Sequence, residues 1–115
     1  AEQHGAAYRL YIGTHAEDAA NDAYPDCRAD FIGTMGAAIY IGTYHQVRLV
    51  APFIESTKAH IARTGYELSP EIMALSWSCY RGGEFHCGKC PTCYARQAAF
   101  AAAGISDPTT YEMAL

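Results

Sequence analysis

The chain has 115 residues, of which 50% are hydrophobic, 12% aromatic and 17% charged; this supports one packed core and excludes a disordered tail. Eight Lys and Arg against twelve Asp and Glu leave a formal charge of −4, so phosphate-driven binding of nucleic acid is not expected as the main activity. The longest run without acidic or basic residues, 31–47, holds Gly33, Gly36, Gly42, Thr34, Thr43 and His45 and falls short of the roughly 18 apolar residues of a membrane span.

Tyr8 to Gly13 reads as a buried strand ending at a glycine. A polar loop follows over 14–28, with Glu17, Asp18, Asp22 and the turn run Tyr24-Pro25-Asp26-Cys27-Arg28. From Ala29 to Tyr44, Phe31, Met35, Ala38, Ile39 and Gly42 recur at three- and four-residue steps, which predicts a helix burying that face. Val47 to Ala51 is a second strand, stopped by Pro52. Ser56 or Thr57 caps a helix expected to end at Gly65. Ser69-Pro70 opens a further helical turn, 74–78 reads as extended, and Pro91 begins a helix through Ala103 with Gly104 as its C-cap and Pro108 beyond. Strand, helix, strand, helix predicts an α/β fold with a parallel sheet, and with no repeat or linker the whole of 1–115 is assigned to one domain.

Five cysteines are present, and four fall within residues 79–93: Cys79, Cys87, Cys90 and Cys93. The last three follow C-x2-C-x2-C, too crowded for ordinary long-loop disulfides. No charged-then-apolar leader opens the sequence, so the expected compartment is a reducing cytoplasm, where such a cluster binds metal. Zinc takes four donors in a tetrahedron, and the turn amides of C-x2-C donate to the sulfurs. Cys93 falls in the first turn of its helix, where the dipole favours a thiolate. Arg81, Lys89 and Arg96 are the cations available to offset the charge of four thiolates. With all four positions filled by protein, the zinc is expected to be structural. The alternatives are an iron–sulfur cluster, whose common run places its fourth cysteine downstream, a ligand set with His86 in place of Cys87, and a redox pair.

Phosphate-loop, dinucleotide-loop, zinc-protease and nucleophile-elbow patterns are absent. The loop after the first strand is the other candidate, since ligands of open α/β sheets sit beyond the strands' carboxyl ends. Glu17, Asp18, Asp26 and Arg28 there hold a magnesium–nucleotide or a polar heterocycle, or else form a solvated acidic loop with Asp26 capping a helix. Lys58 lies in the first turn of its helix, against the dipole, which suits a docked anion or a solvated side chain.

The residues resemble the 7-cyano-7-deazaguanine synthases of queuosine biosynthesis. The resemblance rests on Tyr24-Pro25-Asp26-Cys27-Arg28 after His15-Ala16-Glu17-Asp18, on Ala51-Pro52-Phe53-Ile54 leading to Thr57-Lys58-Ala59, and on Trp77-Ser78-Cys79-Tyr80 with Gly82-Gly83, Cys87-Gly88, Cys90, Cys93, Arg96, Ala99 and Phe100. It implies an adenine-nucleotide alpha-hydrolase-like (ATP-pyrophosphatase-loop) half-domain with a C-terminal four-cysteine zinc site and helix. It also implies an ATP-dependent ligase that turns 7-carboxy-7-deazaguanine and ammonia into 7-cyano-7-deazaguanine, with magnesium accompanying ATP. Cys79, Cys87, Cys90 and Cys93 are then the zinc ligands, and Tyr24, Asp26, Arg28 and Lys58 the substrate or phosphate candidates. No nucleic-acid or membrane partner is implied, and a homo-oligomer is compatible with the family. The family's nucleotide loop, Ser-Gly-Gly-x-Asp-Ser, belongs to an N-terminal half and has no counterpart here. The expectation is therefore a C-terminal portion, inactive by itself; the competing one is a stand-alone zinc-stabilised binding module without catalysis.

Overall fold

A computed structural model describes residues 7–20 and 23–112. They fall into two compact units that divide between Thr57 and Lys58.

In the first unit, strands β1 (Tyr8–Tyr11) and β2 (Val47–Val50) pair in parallel, with Tyr8 opposite Val47 and Tyr11 opposite Val50. A parallel pair needs a crossover between its strands, and 12–46 supplies it. The crossover carries α1 (Ala16–Ala19), a 3-10 turn (Pro25–Cys27) and α2 (Ala29–Gly42). Thr43 stops α2 by donating its hydroxyl to the Ile39 carbonyl at 2.7 Å, while that hydroxyl accepts from the Val47 N–H at 3.1 Å. Tyr44 and His45 adopt left-handed φ angles of 56° and 62°, which turns the chain back into β2.

Of the α2 face expected to be buried, only Ile39 packs. Ile32, Gly36, Ile39, Tyr40 and Thr43 are partly buried, whereas Phe31, Met35, Ala38 and Gly42 are exposed. A Cβ on Gly36 would sit 3.7 Å from the Leu49 side chain, so the helix meets β2 along this line. The sequence pattern is ambiguous because α2 is apolar all round, a composition typical of helices enclosed by a larger protein. β1 differs from expectation in the same way. Its pattern predicts burial, yet all four of its residues are exposed.

The second unit holds α3 (Lys58–Leu68), α4 (Pro70–Leu75) and α5 (Pro91–Ala103). Ala62 of α3 packs with Ala99 and Phe100 of α5, flanked by Met73 and Ile105. An Arg63 guanidinium N–H donates to the Ala103 carbonyl at the end of α5. Ser69 caps α4 by accepting from the Ile72 N–H at 3.3 Å, and Pro70 fills the first helical position, as the sequence indicates. α5 ends at Gly104, with φ 71°, also as expected.

Two expectations fail here. α3 does not stop at Gly65 but runs on to Leu68, because the glycine serves close packing: a Cβ there would collide with Met73 Sδ. Ala74 and Leu75 complete α4 instead of opening an extended stretch. No helix among the described residues is long and apolar enough to cross a membrane.

Gly65→Ala should therefore destabilise the chain by about 1–3 kcal/mol, although alanine is the better helix former. Urea denaturation measures this, and in a Met73→Ala background, itself less stable, the Gly65→Ala penalty should be smaller. A neutral or stabilising Gly65→Ala would contradict the packing account.

Candidate functional site

The four clustered cysteines come from three pieces of local structure. Cys87 opens a turn that Gly88 makes tight, with φ 75°. Cys90 is the N-cap of α5 and Cys93 lies in its first turn. Cys79 arrives from the stretch after α4, anchored by Trp77, whose indole N–H donates to the Cys79 carbonyl at 2.7 Å. All four are buried, and their sulfurs lie within 4.8 Å of one another.

Backbone amides converge on two of them. Arg81 N and Cys87 N each donate to Cys79 Sγ at 3.4 Å. Lys89 N and Cys90 N donate to Cys87 Sγ at 3.3 and 3.2 Å, the amide pattern expected of the C-x2-C turn. The Cys87–Cys93 and Cys79–Cys90 sulfur pairs are 3.9 and 4.0 Å apart, far beyond a disulfide bond. A tetrahedron with metal–sulfur bonds of about 2.3 Å has edges of roughly 3.8 Å, so the four sulfurs fit one ion.

The four thiols have unequal environments. The Cys87 N–H pulls the Cys79 pKa down. The Thr92 hydroxyl, 3.1 Å from Cys90 Sγ, lowers that thiol to about 5. Burial pushes Cys93 up to about 12. His86 is not part of the set: its Nε2 accepts from the Ser78 N–H at 3.1 Å, and burial lowers its pKa. The ligand set with His86 in place of Cys87 therefore gains no support.

Arg96 is the functional neighbour whose role the sequence reading misses. The sequence suggests a cation beside the ligands, but the side chain is buried and used as a clamp. Its guanidinium donates to Thr109 Oγ1 at 2.6 Å, Ser78 Oγ at 3.1 Å, Ser76 Oγ at 3.0 Å and the Met73 carbonyl at 3.1 Å. The available signal is its i+3 spacing from Cys93, which places both on the buried face of α5.

Tyr24, Asp26 and Arg28 share one turn between β1 and α2. Tyr24 and Asp26 are exposed around the 3-10 turn. Arg28 immediately precedes α2 and pairs with Asp30, its Nε 3.3 Å from Oδ1. Asp26 does not cap α2, whose N-cap is Arg28 with no side-chain cap bond. Lys58 belongs to the second unit. It opens α3 and lines a cavity of about 250 Å³ with Ile61, Met73, Trp77, Arg96 and Phe100.

The family described as "Queuosine biosynthesis protein QueC" matches residues 1–104. A 7-cyano-7-deazaguanine synthase of Porphyromonas gingivalis is 50% identical over 104 residues, covering 90% of this chain and 46% of that protein. One from Caldicellulosiruptor bescii is 42% identical over 107 residues, covering 93% of this chain and 47% of that protein. One from Rhizobium etli is 50% identical over 92 residues, 77% of this chain and 38% of that protein. The chain thus spans about half the length, or less, of the curated relatives it matches. With the family match running through both units and all four clustered cysteines, the chain belongs to the queuosine biosynthesis protein QueC family.

Proposed function

We propose that residues 1–115 are the C-terminal portion of a 7-cyano-7-deazaguanine synthase domain of the ATP-pyrophosphatase-loop type, working in the cytoplasm. The complete enzyme would convert 7-carboxy-7-deazaguanine and ammonia to 7-cyano-7-deazaguanine at the expense of ATP, with magnesium. The carboxylate is activated by ATP, ammonia displaces the activated oxygen to give the amide, and a second activation removes the amide oxygen to leave the nitrile. The observation that carries this reading is the identity of about half the residues to named synthases, across a parallel β-α-β unit and a four-cysteine centre.

The exposed apolar surface of the first unit supports the fragment reading. Tyr8, Leu10 and Tyr11 are 69%, 51% and 62% exposed, whereas strands of parallel sheets are normally covered on both faces. Further strands and helices from the rest of a longer enzyme would cover them. The turn carrying Tyr24, Asp26 and Arg28 follows the carboxyl end of β1, the edge where α/β sheets take their ligands. Lys58 supplies an ammonium group on the wall of an otherwise largely apolar cavity, suited to a flat heterocycle with an acidic substituent.

Zinc is the metal we assign to Cys79, Cys87, Cys90 and Cys93. Four thiolates leave no position for water, so the ion holds the C-terminal unit together and takes no part in the reaction. Elemental analysis should find one zinc per chain. Cys90→Ser should lower the zinc content and the melting temperature together. Visible absorbance from iron, or a folded chain with no metal, overturns the assignment.

Asp26→Asn in a complete enzyme should reduce turnover at least about tenfold while leaving the melting temperature nearly unchanged, as expected for an exposed group serving a ligand. Normal kinetics with a large loss of stability would instead make Asp26 a structural residue.

The 115-residue chain should form no nitrile, because holding ATP phosphates in line needs donors from the Ser-Gly-Gly-x-Asp-Ser loop. Supplying an N-terminal half with that loop, fused or in trans, should restore it. Mass-spectrometric detection of 7-cyano-7-deazaguanine from the carboxylate, ammonia and ATP is the test. No product from the fused protein would favour the non-catalytic binding module.

A further inference from the structure

Residues 105–112 lie beyond the stretch matched to the family, which ends at residue 104, yet they are tied closely to the cysteine centre. After Gly104 the chain folds back over the loop that carries Cys87. The Glu112 N–H donates to the His86 carbonyl at 2.8 Å, and Tyr111 forms a parallel bridge with His86. Tyr111 packs against the buried cysteine cluster, and its ring meets the His86 ring edge-on at 5.9 Å between centroids. It also covers Gly88 so closely that a Cβ there would be 3.4 Å from Tyr111 Cδ1.

This position is latched twice. The Tyr111 hydroxyl donates to Asp107 Oδ2 at 2.5 Å, a short charge-assisted bond, and Asp107 Oδ1 accepts from the Thr109 N–H at 2.9 Å. Thr109 in turn accepts from Arg96 Nε at 2.6 Å, which fastens the segment to α5 one turn beyond Cys93. The Asp107 carboxyl is held below its ordinary pKa by the Thr109 and Tyr111 hydrogen bonds, despite the opposing effect of its burial. It therefore stays ionised as the acceptor at neutral pH.

We infer that 107–112 is a cover over the metal centre, latched by the Tyr111–Asp107 hydrogen bond, that sets how fast the bound ion exchanges with solvent. The four sulfurs determine whether metal binds, and the aromatic ring over them determines how readily a competing ligand reaches it. The inference rests on the reading that the cysteines hold zinc, and the experiment separates the two.

The zinc-loaded 115-residue chain is mixed with a coloured chelator in excess, and zinc release is followed by absorbance. Tyr111→Ala should release zinc at least about tenfold faster than the unaltered chain, at a rate proportional to chelator concentration, because an uncovered centre is attacked directly by the chelator. Tyr111→Phe keeps the ring but loses the bond to Asp107, and should show a smaller acceleration in the same direction. It carries the test if Tyr111→Ala fails to fold. Release at the unaltered rate from a zinc-loaded variant overturns the cover while leaving the zinc reading intact. So does faster release independent of chelator concentration, which would mark general unfolding. A chain that takes up no zinc overturns both.

Discussion

Four sulfurs within 4.8 Å of one another form the constraint around which the second unit is organised. Four thiolates at this separation repel strongly, so they cannot all be ionised unless a cation joins them. The thiols are also held unequally, since the Thr92 hydroxyl lowers Cys90 to about 5 while burial pushes Cys93 up to about 12. A divalent ion removes the conflict and makes the converged geometry favourable. On the proposed zinc assignment, metal binding and folding of the second unit are one equilibrium.

The consequences run along a single helix face. Cys93, Arg96, Ala99, Phe100 and Ala103 are the buried residues of α5. The cysteine end fixes the helix at the centre, Arg96 gathers Met73, Ser76, Ser78 and Thr109 around it, and Ala99 with Phe100 meets Ala62 of α3. A core of three such residues is small for an independent unit, and a metal clip is the usual compensation at this size. Arg96 is costly to bury, and its four neutral acceptors offset that cost only while the segments supplying them stay in place. Metal site, clamp and apolar contact therefore form one cooperative element.

The parts of this arrangement that are legible in the sequence are those where a short local pattern has a single physical solution. The C-x2-C turn must aim its amides at a sulfur, and it does so at Cys87. Pro91 and Gly104 bracket α5 because one lacks an N–H and the other tolerates a left-handed φ. The family resemblance, carried by the motifs at 24–28, 51–59 and 77–100, agrees with the match over 1–104. The misreadings come from residues whose role depends on distant neighbours. Gly65 resembles a helix stop because nothing local reveals Met73 against it, and Arg96 resembles a surface cation because its acceptors lie 13 to 23 residues away. Tyr111 and Asp107 carry no local sign of the centre they cover.

The first unit poses the opposite problem. Half of the whole sequence is hydrophobic, yet every buried hydrophobic residue among those described lies at position 62 or beyond. The apolar residues of β1 and of the outer face of α2 remain open, with Phe31 42%, Met35 40% and Ile41 68% exposed. Periodicity read from the sequence alone selects the Phe31–Met35–Ala38 face because it assumes that one face is buried and the other solvated. A helix apolar on both faces breaks that assumption, since it belongs between two layers. One layer is β2, reached through Gly36 and Leu49. The chain spans about half the length of the relatives it matches. Periodicity therefore cannot say which face of α2 meets β2, and the approach of Gly36 to Leu49 decides it.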